Sequence, residues 1–225
     1  MNIKYVYKSR GEKKQKLTSL DEFCNQVKNC KYQKLCDSLK YKLGASINLE
    51  NTKLDETERL PHVFFSIGKS YTGLVMLSFR AEGGWADNYK FIASALPQTL
   101  LCFVGSSDRT VKIIVAFAQP DGNLPTEDSD IALFHQTAYV MAAKFYEAEL
   151  GTQCETACPG VENGCCMSCD ESIFYNPDAV KMVVSETHGD VTKAAKTQRS
   201  IARQTVMADH DMLPDLDLQQ MSMIK

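Results

Sequence analysis

Apolar and polar positions alternate over residues 3–8 (IKYVYK), the period-two pattern of a strand with one face in a core. Ser19-Leu-Asp-Glu22 then has capping-box spacing, a hydroxyl to hold free amides at a helix start and a glutamate to reach back. Phe23, Val27 and Cys30 follow at helical spacing, and a second helical stretch covers 31–42 and stops near Gly44. Residues 45–60 are polar and read as loop, with a short strand at 46–49. The middle of the chain is rich in strands. HVFFS at 62–66, GLVMLSF at 73–79, LLCFV at 100–104 and VKIIVAFA at 111–118 are apolar runs of strand length. A helix over 85–95 ends before Pro97, and GSSDRT at 105–110 has turn chemistry.

A long helix is predicted over 127–150. Ile131, Phe134, Ala138, Ala142, Phe145 and Glu149 recur at steps of three and four, apolar except at the end, and Gly151 is placed to cap it. Residues 165–175 contain a strand leading into the turn Tyr175-Asn-Pro-Asp178. The segment 186–225 is polar, with one more helix over 190–207 and a poorly ordered end. The prediction is an α+β domain over 1–185, an antiparallel sheet with flanking helices and an N-terminal strand–helix elaboration, followed by a polar C-terminal helix and tail over 186–225.

With 44% hydrophobic residues in 225, there is material for a sizeable core. No apolar window reaches the length of a membrane span, and the first residues hold no apolar segment of the secretory kind, so the expectation is a cytoplasmic protein with no membrane partner. The net charge of −3 conceals an asymmetry. Residues 1–44 carry eleven Lys/Arg against four Asp/Glu. Such a basic segment is either a solvated face or an anion-facing surface.

The nine cysteines are odd in number and unevenly spaced, which reads as reduced thiols and not as a secreted disulfide framework. Cys24, Cys30, Cys36 and Cys102 fall in helical or strand contexts, where a thiol packs as a small hydrophobe. Cys154, Cys158, Cys165, Cys166 and Cys169 crowd together. Cys154-x-x-x-Cys158 with Cys166-x-x-Cys169 forms a candidate structural zinc set, the alternative being buried thiols. There is no P-loop or G-x-G-x-x-G, and no Ser-His-Asp or Cys-His arrangement follows from spacing. His135, near the apolar face of the long helix, reads as a packed core histidine, whereas His62, near the 65–68 loop, is open to either a core or a site role.

Four ordered stretches carry a family resemblance: LPHVFFSIG at 60–68, GLVMLSFR at 73–80, LCFVGSSDRTVKIIV at 101–115 and CCMSCDESIFYNPDA at 165–179. Together they resemble the VirE N-terminal-like domain family of bacterial mobile-element replication proteins, a branch of the archaeo-eukaryotic primase superfamily with an RRM-like core. The resemblance implies an RRM-like, primase-like sheet and a role in mobile-element DNA replication. It also implies a metal site made of an Asp-x-Asp pair at a strand end and a later carboxylate, which would hold divalent ions for nucleotidyl transfer.

At those positions this chain has Ser78, Arg80 and Cys154, and Gly160 and Asn163 stand where an Asp-x-x-Arg pair is expected. The catalytic positions are therefore degenerate, no cofactor is expected, and a divalent metal would be needed only if an active site survives. The resemblance further places Ser107, Arg109 and Lys112 on a nucleotide-side hairpin, and Asp170, Tyr175 and Asn176 in a second polar element, as candidate nucleotide or nucleic-acid contacts. The leading expectation is a non-catalytic primase-like domain that binds single-stranded DNA or nucleotide. The first alternative is an active nucleotidyltransferase with a remodelled site using Glu82, Asp87 or Asp170. The second is a protein-interaction module partnering a helicase or other mobile-element replication protein.

Overall fold

A computed structural model of the chain describes residues 1–9, 11–45, 55–81, 84–156 and 160–185. The chain divides into two compact units, Met1–Glu186 and Thr187–Lys225, and all described elements belong to the first. The strand expected at 46–49 and the helix expected at 190–207 lie outside the described residues.

β1 (Asn2–Ser9) pairs antiparallel with β2 (Glu12–Ser19), from Asn2 opposite Ser19 to Ser9 opposite Lys13's neighbour Glu12. The turn between them needs Gly11, whose φ of 84° is a left-handed conformation that side chains resist. Periodicity gives no sign of β2, because EKKQKLTS has almost no apolar face. It is a polar edge strand, made by pairing and not by burial. Ser19 caps α1 (Leu20–Lys28), accepting from the Glu22 amide at 3.1 Å. The Glu22 carboxylate turns instead to Gln26 at 2.8 Å. α2 (Gln33–Ala45) and the short α3 (Asp55–Arg59) follow. Lys42 and Ser38 of α2 hold the Glu56 carboxylate of α3 at 2.6 and 2.8 Å, which lowers its pKa to about 2.

β3 (His62–Phe64) joins β1, and β4 (Leu74–Arg80) opens a second sheet. α4 (Ala86–Ser94), β5 (Thr99–Val104), β6 (Thr110–Ala118) and α5 (Asp128–Leu150) complete a β-α-β-β-α succession, with Gly151 capping α5 at a φ of 63°. The strand expected within 165–175 is two short pieces in different sheets. β7 (Cys165–Cys166) pairs with β3, and β8 (Phe174–Tyr175) pairs with β5. β9 (Met182–Val183) runs parallel to the end of β6. The sheets are ordered β2-β1-β3-β7 and β4-β6-β5-β8, antiparallel apart from β9. The architecture is α+β, as the pattern predicts.

β4, β5 and β6 are buried on both faces. One face, with Leu77, Phe79, Ile113 and Val115, packs against Ala138, Ala142 and Tyr146 of α5. The other, with Leu74, Met76, Ile114 and Phe103, packs against α1 and the first sheet through Phe23, Ile3, Val63 and Phe65. Phe23 meets Phe65 and Phe103 edge-on at centroid distances of 5.2 and 5.5 Å. Truncating such a ring to alanine typically costs about 3–5 kcal/mol. Gly164 lets β7's approach lie tight on β3, since a Cβ there would stand 2.6 Å from the Val63 carbonyl oxygen.

The expectation of reduced thiols throughout is corrected at one pair: Cys30 and Cys169 form a disulfide across 139 residues. Spacing carries no trace of so distant a pairing. It arises because the loop after β7 lies on the end of α1, where the Asp170 amide donates to the Val27 carbonyl at 3.2 Å. The other described cysteines are free, and burial pushes Cys24 and Cys165 up to about 12, as expected of thiols packed as hydrophobes. Among the described residues no helix is long and apolar enough to cross a membrane. Cross-linking so large a loop stabilises by about 2–4 kcal/mol. Thermal melts with and without reductant, and of a Cys30→Ala/Cys169→Ala variant, are expected to show that loss as a lower Tm, and an unchanged Tm would show that the bridge carries no stability.

Candidate functional site

In the β4–β6 register Ser78 faces Lys112 and Arg80 faces Thr110. Positions 78 and 80 share one face of β4, the face turned toward the first sheet. The chain leaving α5 runs back along β4. Cys154 bridges Phe79, and the Glu155 amide donates to the Ser78 carbonyl at 2.8 Å. That return places the Glu155 carboxylate on Ser78, whose Oγ donates to it. Lys112 Nζ donates to the same Oγ at 2.6 Å. Ser78 is 8% exposed, so this ammonium–hydroxyl–carboxylate chain satisfies a polar group that the core would otherwise strand.

Three positions singled out in the sequence therefore meet: Ser78, Lys112 and the segment at Cys154. The carboxylate itself, Glu155, was missed. Its only signal is adjacency to Cys154, which supplies no oxygen but packs its Sγ 3.3 Å from the Ser78 carbonyl and 3.0 Å from the Tyr139 hydroxyl. Magnesium needs several hard oxygen ligands. Here the described cluster offers one carboxylate and one hydroxyl, and the hydroxyl already accepts from an ammonium, whose positive charge repels a metal cation. Arg80 is exposed at the end of β4 and adds positive charge to the same face.

The β5–β6 hairpin tip is anchored to α2. Asp108 turns the chain with a φ of 58°, and the Gly105 amide closes the turn on the Thr110 carbonyl at 2.8 Å. Lys40 of α2 holds Asp108 at 2.7 Å. Arg109 donates to the Leu43 carbonyl at 2.8 Å, a cation on the last turn of a helix where the backbone is electron-rich. Ser107 accepts from the Arg109 amide at 3.4 Å. Ser107 and Arg109 thus brace the hairpin on a helix, and Lys112 alone of that trio belongs to the Ser78 cluster.

Asp170 is buried and fully engaged. Lys90 of α4 donates to both of its oxygens at 2.9 Å, and the Val104 amide donates at 2.8 Å. Ser168 donates to the Val104 carbonyl at 2.6 Å, so two side chains of one loop satisfy the end of β5. Lys90, an interior cation on a helix, was not flagged by the sequence. Asp87 sits one turn before it, 3.4 Å from its Nζ. Asn176 makes an Asx turn with the Asp178 amide at 3.1 Å, and its own amide donates to the Leu100 carbonyl at 2.8 Å. Tyr175 pairs in β8, its phenol pKa raised mainly by burial. Of the three carboxylates considered for a remodelled metal site, Asp170 is committed to Lys90 and Asp87 leans on the same lysine, while Glu82 lies outside the described residues. Gly160 and Asn163 share a turn, with the Asn163 amide on the Gly160 carbonyl at 3.0 Å.

The candidate zinc set does not assemble. Cys169 is spent on Cys30, Cys158 lies outside the described residues, and Cys154 and Cys166 pair with different strands, β4 and β3. Among the described residues no group of three or more His, Cys, Asp or Glu is placed to hold a metal. His62 and Cys166 are cross-strand neighbours, with Nε2 3.8 Å from Sγ. The same Nε2 is 3.2 Å from the Thr57 carbonyl, and burial raises the thiol, so the pair is packed and not activated. His135 is buried against Tyr71, whose hydroxyl is 3.1 Å from Nδ1.

Two stability effects follow. Asp170→Asn leaves the Lys90 ammonium buried with a weakened partner, and urea denaturation is expected to show a loss of about 3 kcal/mol or more; a loss below about 1 kcal/mol would mean the pair is not buried as described. For His135, desolvation lowers the pKa to about 4, below the 6.5 of the free imidazole. The unfolded chain then binds the extra proton between those values. Stability present above pH 6.5 is lost as pH falls toward 4, by up to about 3 kcal/mol. Comparing urea midpoints of the native protein and His135→Phe across that range isolates this slope, and identical pH profiles would remove His135 as its source.

Comparisons with curated proteins and with solved structures found no match. Residues 68–175, from the loop before β4 through β8, match the family model described as BT4734-like, N-terminal domain, and the matched stretch spans Ser78, Lys112, Glu155 and Asp170 of this chain.

Proposed function

We propose that the chain is a catalytically silent primase-like domain that binds single-stranded nucleic acid, in the setting of bacterial mobile-element DNA replication. The observation that carries this reading is the Lys112–Ser78–Glu155 cluster. Its Ser78 is one of the two positions at a strand end for which the primase-like resemblance implies a metal-binding pair, and the return from α5 brings Glu155, the neighbour of the third position, Cys154, onto it. The positions stay together while the chemistry changes. A hydroxyl and a guanidinium stand where the resemblance implies aspartates, an ammonium bonds to that hydroxyl, and Glu155 supplies the carboxylate of the cluster. Such a site holds an ordered sheet end but lacks the oxygen ligands that two-metal nucleotidyl transfer needs.

The retained role is then binding. The β-α-β-β-α order of β4 to α5 supports the RRM-like part of the resemblance. The basic N-terminal segment supports an anionic partner, because five lysines of the β1–β2 hairpin, Lys4, Lys8, Lys13, Lys14 and Lys16, stand on one ribbon.

The test has two arms on the full chain. Fluorescence anisotropy with a labelled oligothymidylate is expected to show binding that weakens steeply between about 50 and 200 mM salt, as counterion release requires. Incubation with labelled nucleoside triphosphates, template and magnesium or manganese is expected to give no product. Metal-dependent incorporation abolished by Glu155→Gln would overturn the silent reading in favour of a remodelled transferase. No binding at low salt to either DNA or RNA would overturn the binding reading.

A further inference from the structure

The resemblance directs attention to the β4–β6 face, yet its hairpin residues are engaged in bracing. The first sheet offers a different surface. Its inner face buries Ile3, Tyr5, Val63 and Cys165. Its outer face is set by register. Lys8 stands beside Lys13, Val6 between Gln15 and His62, Lys4 between Leu17 and Phe64, and His62 beside Cys166. α3 walls one side, and the result is a groove of about 400 Å³ whose lining includes Val6, Lys8, Lys13, Glu58, His62 and Phe64.

Its chemistry has two parts. The lining away from the lysines is formed by Val6 and the half-buried rings of Phe64 and His62. The rim toward the edge strand is cationic, with Lys8 and Lys13 in the groove, whereas Lys14 and Lys16, opposite Tyr7 and Tyr5, project from the other face of β2. The phenyl ring of Phe64 already accepts a cation, since Lys4 Nζ lies 5.4 Å from its centroid. One carboxylate stands within the groove, Glu58, which neutralises Lys8 at 2.9 Å.

We infer that this outer face is the binding site for single-stranded nucleic acid, with phosphates along Lys8 and Lys13 and a base laid against Phe64 and His62. The inference rests on the binding reading above and gives it a location. A nucleotide strand matches both parts at once, because each unit carries a flat π-face beside a charged phosphate, and aromatic platforms flanked by lysines hold such strands without reading sequence. An acidic peptide matches only the rim. Edge-strand lysines also serve simply to prevent sheet-to-sheet aggregation, and that role predicts no dependence of binding on Phe64.

The experiment titrates labelled oligothymidylate and oligouridylate into the full chain and four variants over a salt series. Lys13→Gln is expected to weaken binding and to flatten the salt slope by about 0.7, the loss of one single-strand phosphate contact. Phe64→Leu keeps apolar bulk but removes the π-face, and is expected to weaken binding about 5-fold or more with the slope unchanged. Glu58→Gln removes the competing carboxylate and is expected to tighten binding. Lys144→Gln, on an exposed position of α5, is expected to bind as the native chain does. Circular dichroism melts confirm that each variant is folded. If the native chain binds but Lys13→Gln and Phe64→Leu bind equally well, the outer face is not the site, while nucleic-acid binding stands. If the lysine variant alone is impaired, the stacking platform is overturned. If the native chain binds neither probe at low salt, both readings fall together.

Discussion

Burial of β4, β5 and β6 on both faces is the constraint that organises this structure. A sheet covered on one side by α4 and α5 and on the other by α1 and a second sheet has no wet face, so its strands are apolar at nearly every position. Any polar group in it must find a partner inside the protein, because water is excluded and an unpaired group there costs about 1–3 kcal/mol. Thr99 shows this in miniature. It is fully buried, and its hydroxyl is 2.6 Å from both the Ala93 carbonyl and the Tyr146 phenol.

The same rule explains the polar end of the sheet. Ser78 is retained on a buried strand because Lys112 and Glu155 close a chain of hydrogen bonds around it. Asp170 and Lys90 are retained for a similar reason. Asp170 accepts the last amide of β5, and Lys90 neutralises the charge this requires. Arg109 and Asp108 hold a hairpin to α2, and Asn176 shapes the turn after β8. Residues that a primase-like resemblance would assign to substrate are thus employed in joining elements. The binding role proposed above falls instead on the outer face of the first sheet, beside its lysine-bearing edge strand.

Much of the α+β architecture was legible because burial writes a period into the chain. The runs at 73–79, 100–104 and 111–118 and the spacing of Phe134, Ala138 and Ala142 located their elements to within about two residues. β2 was not legible, since a solvent-facing edge strand owes its conformation to pairing with β1 and carries no apolar signature. Nor was β9, nor the division of the strand expected within 165–175 into β7 and β8, which depends on the strands they touch. Within the candidate site, Ser78, Arg80 and Lys112 could be named because the four stretches that carry the family resemblance contain them. Glu155 and Lys90 could not, since nothing local separates them from the other charged residues of the chain.

What the amino-acid order determined by itself was therefore local: strand and helix periods, the Ser19 cap, the Gly151 stop, and the basic first segment. Only the tertiary structure decided which distant groups meet. Cys30 finds Cys169, Glu155 finds Ser78, Lys90 finds Asp170, and His62 and Phe64 come to lie beside Lys8 and Lys13. The physical reason is that periodicity reports which face of an element is buried, whereas a bond between side chains depends on how two faces are docked. That docking is set by the packing of both sheets and the helices together, which no single window of the chain contains.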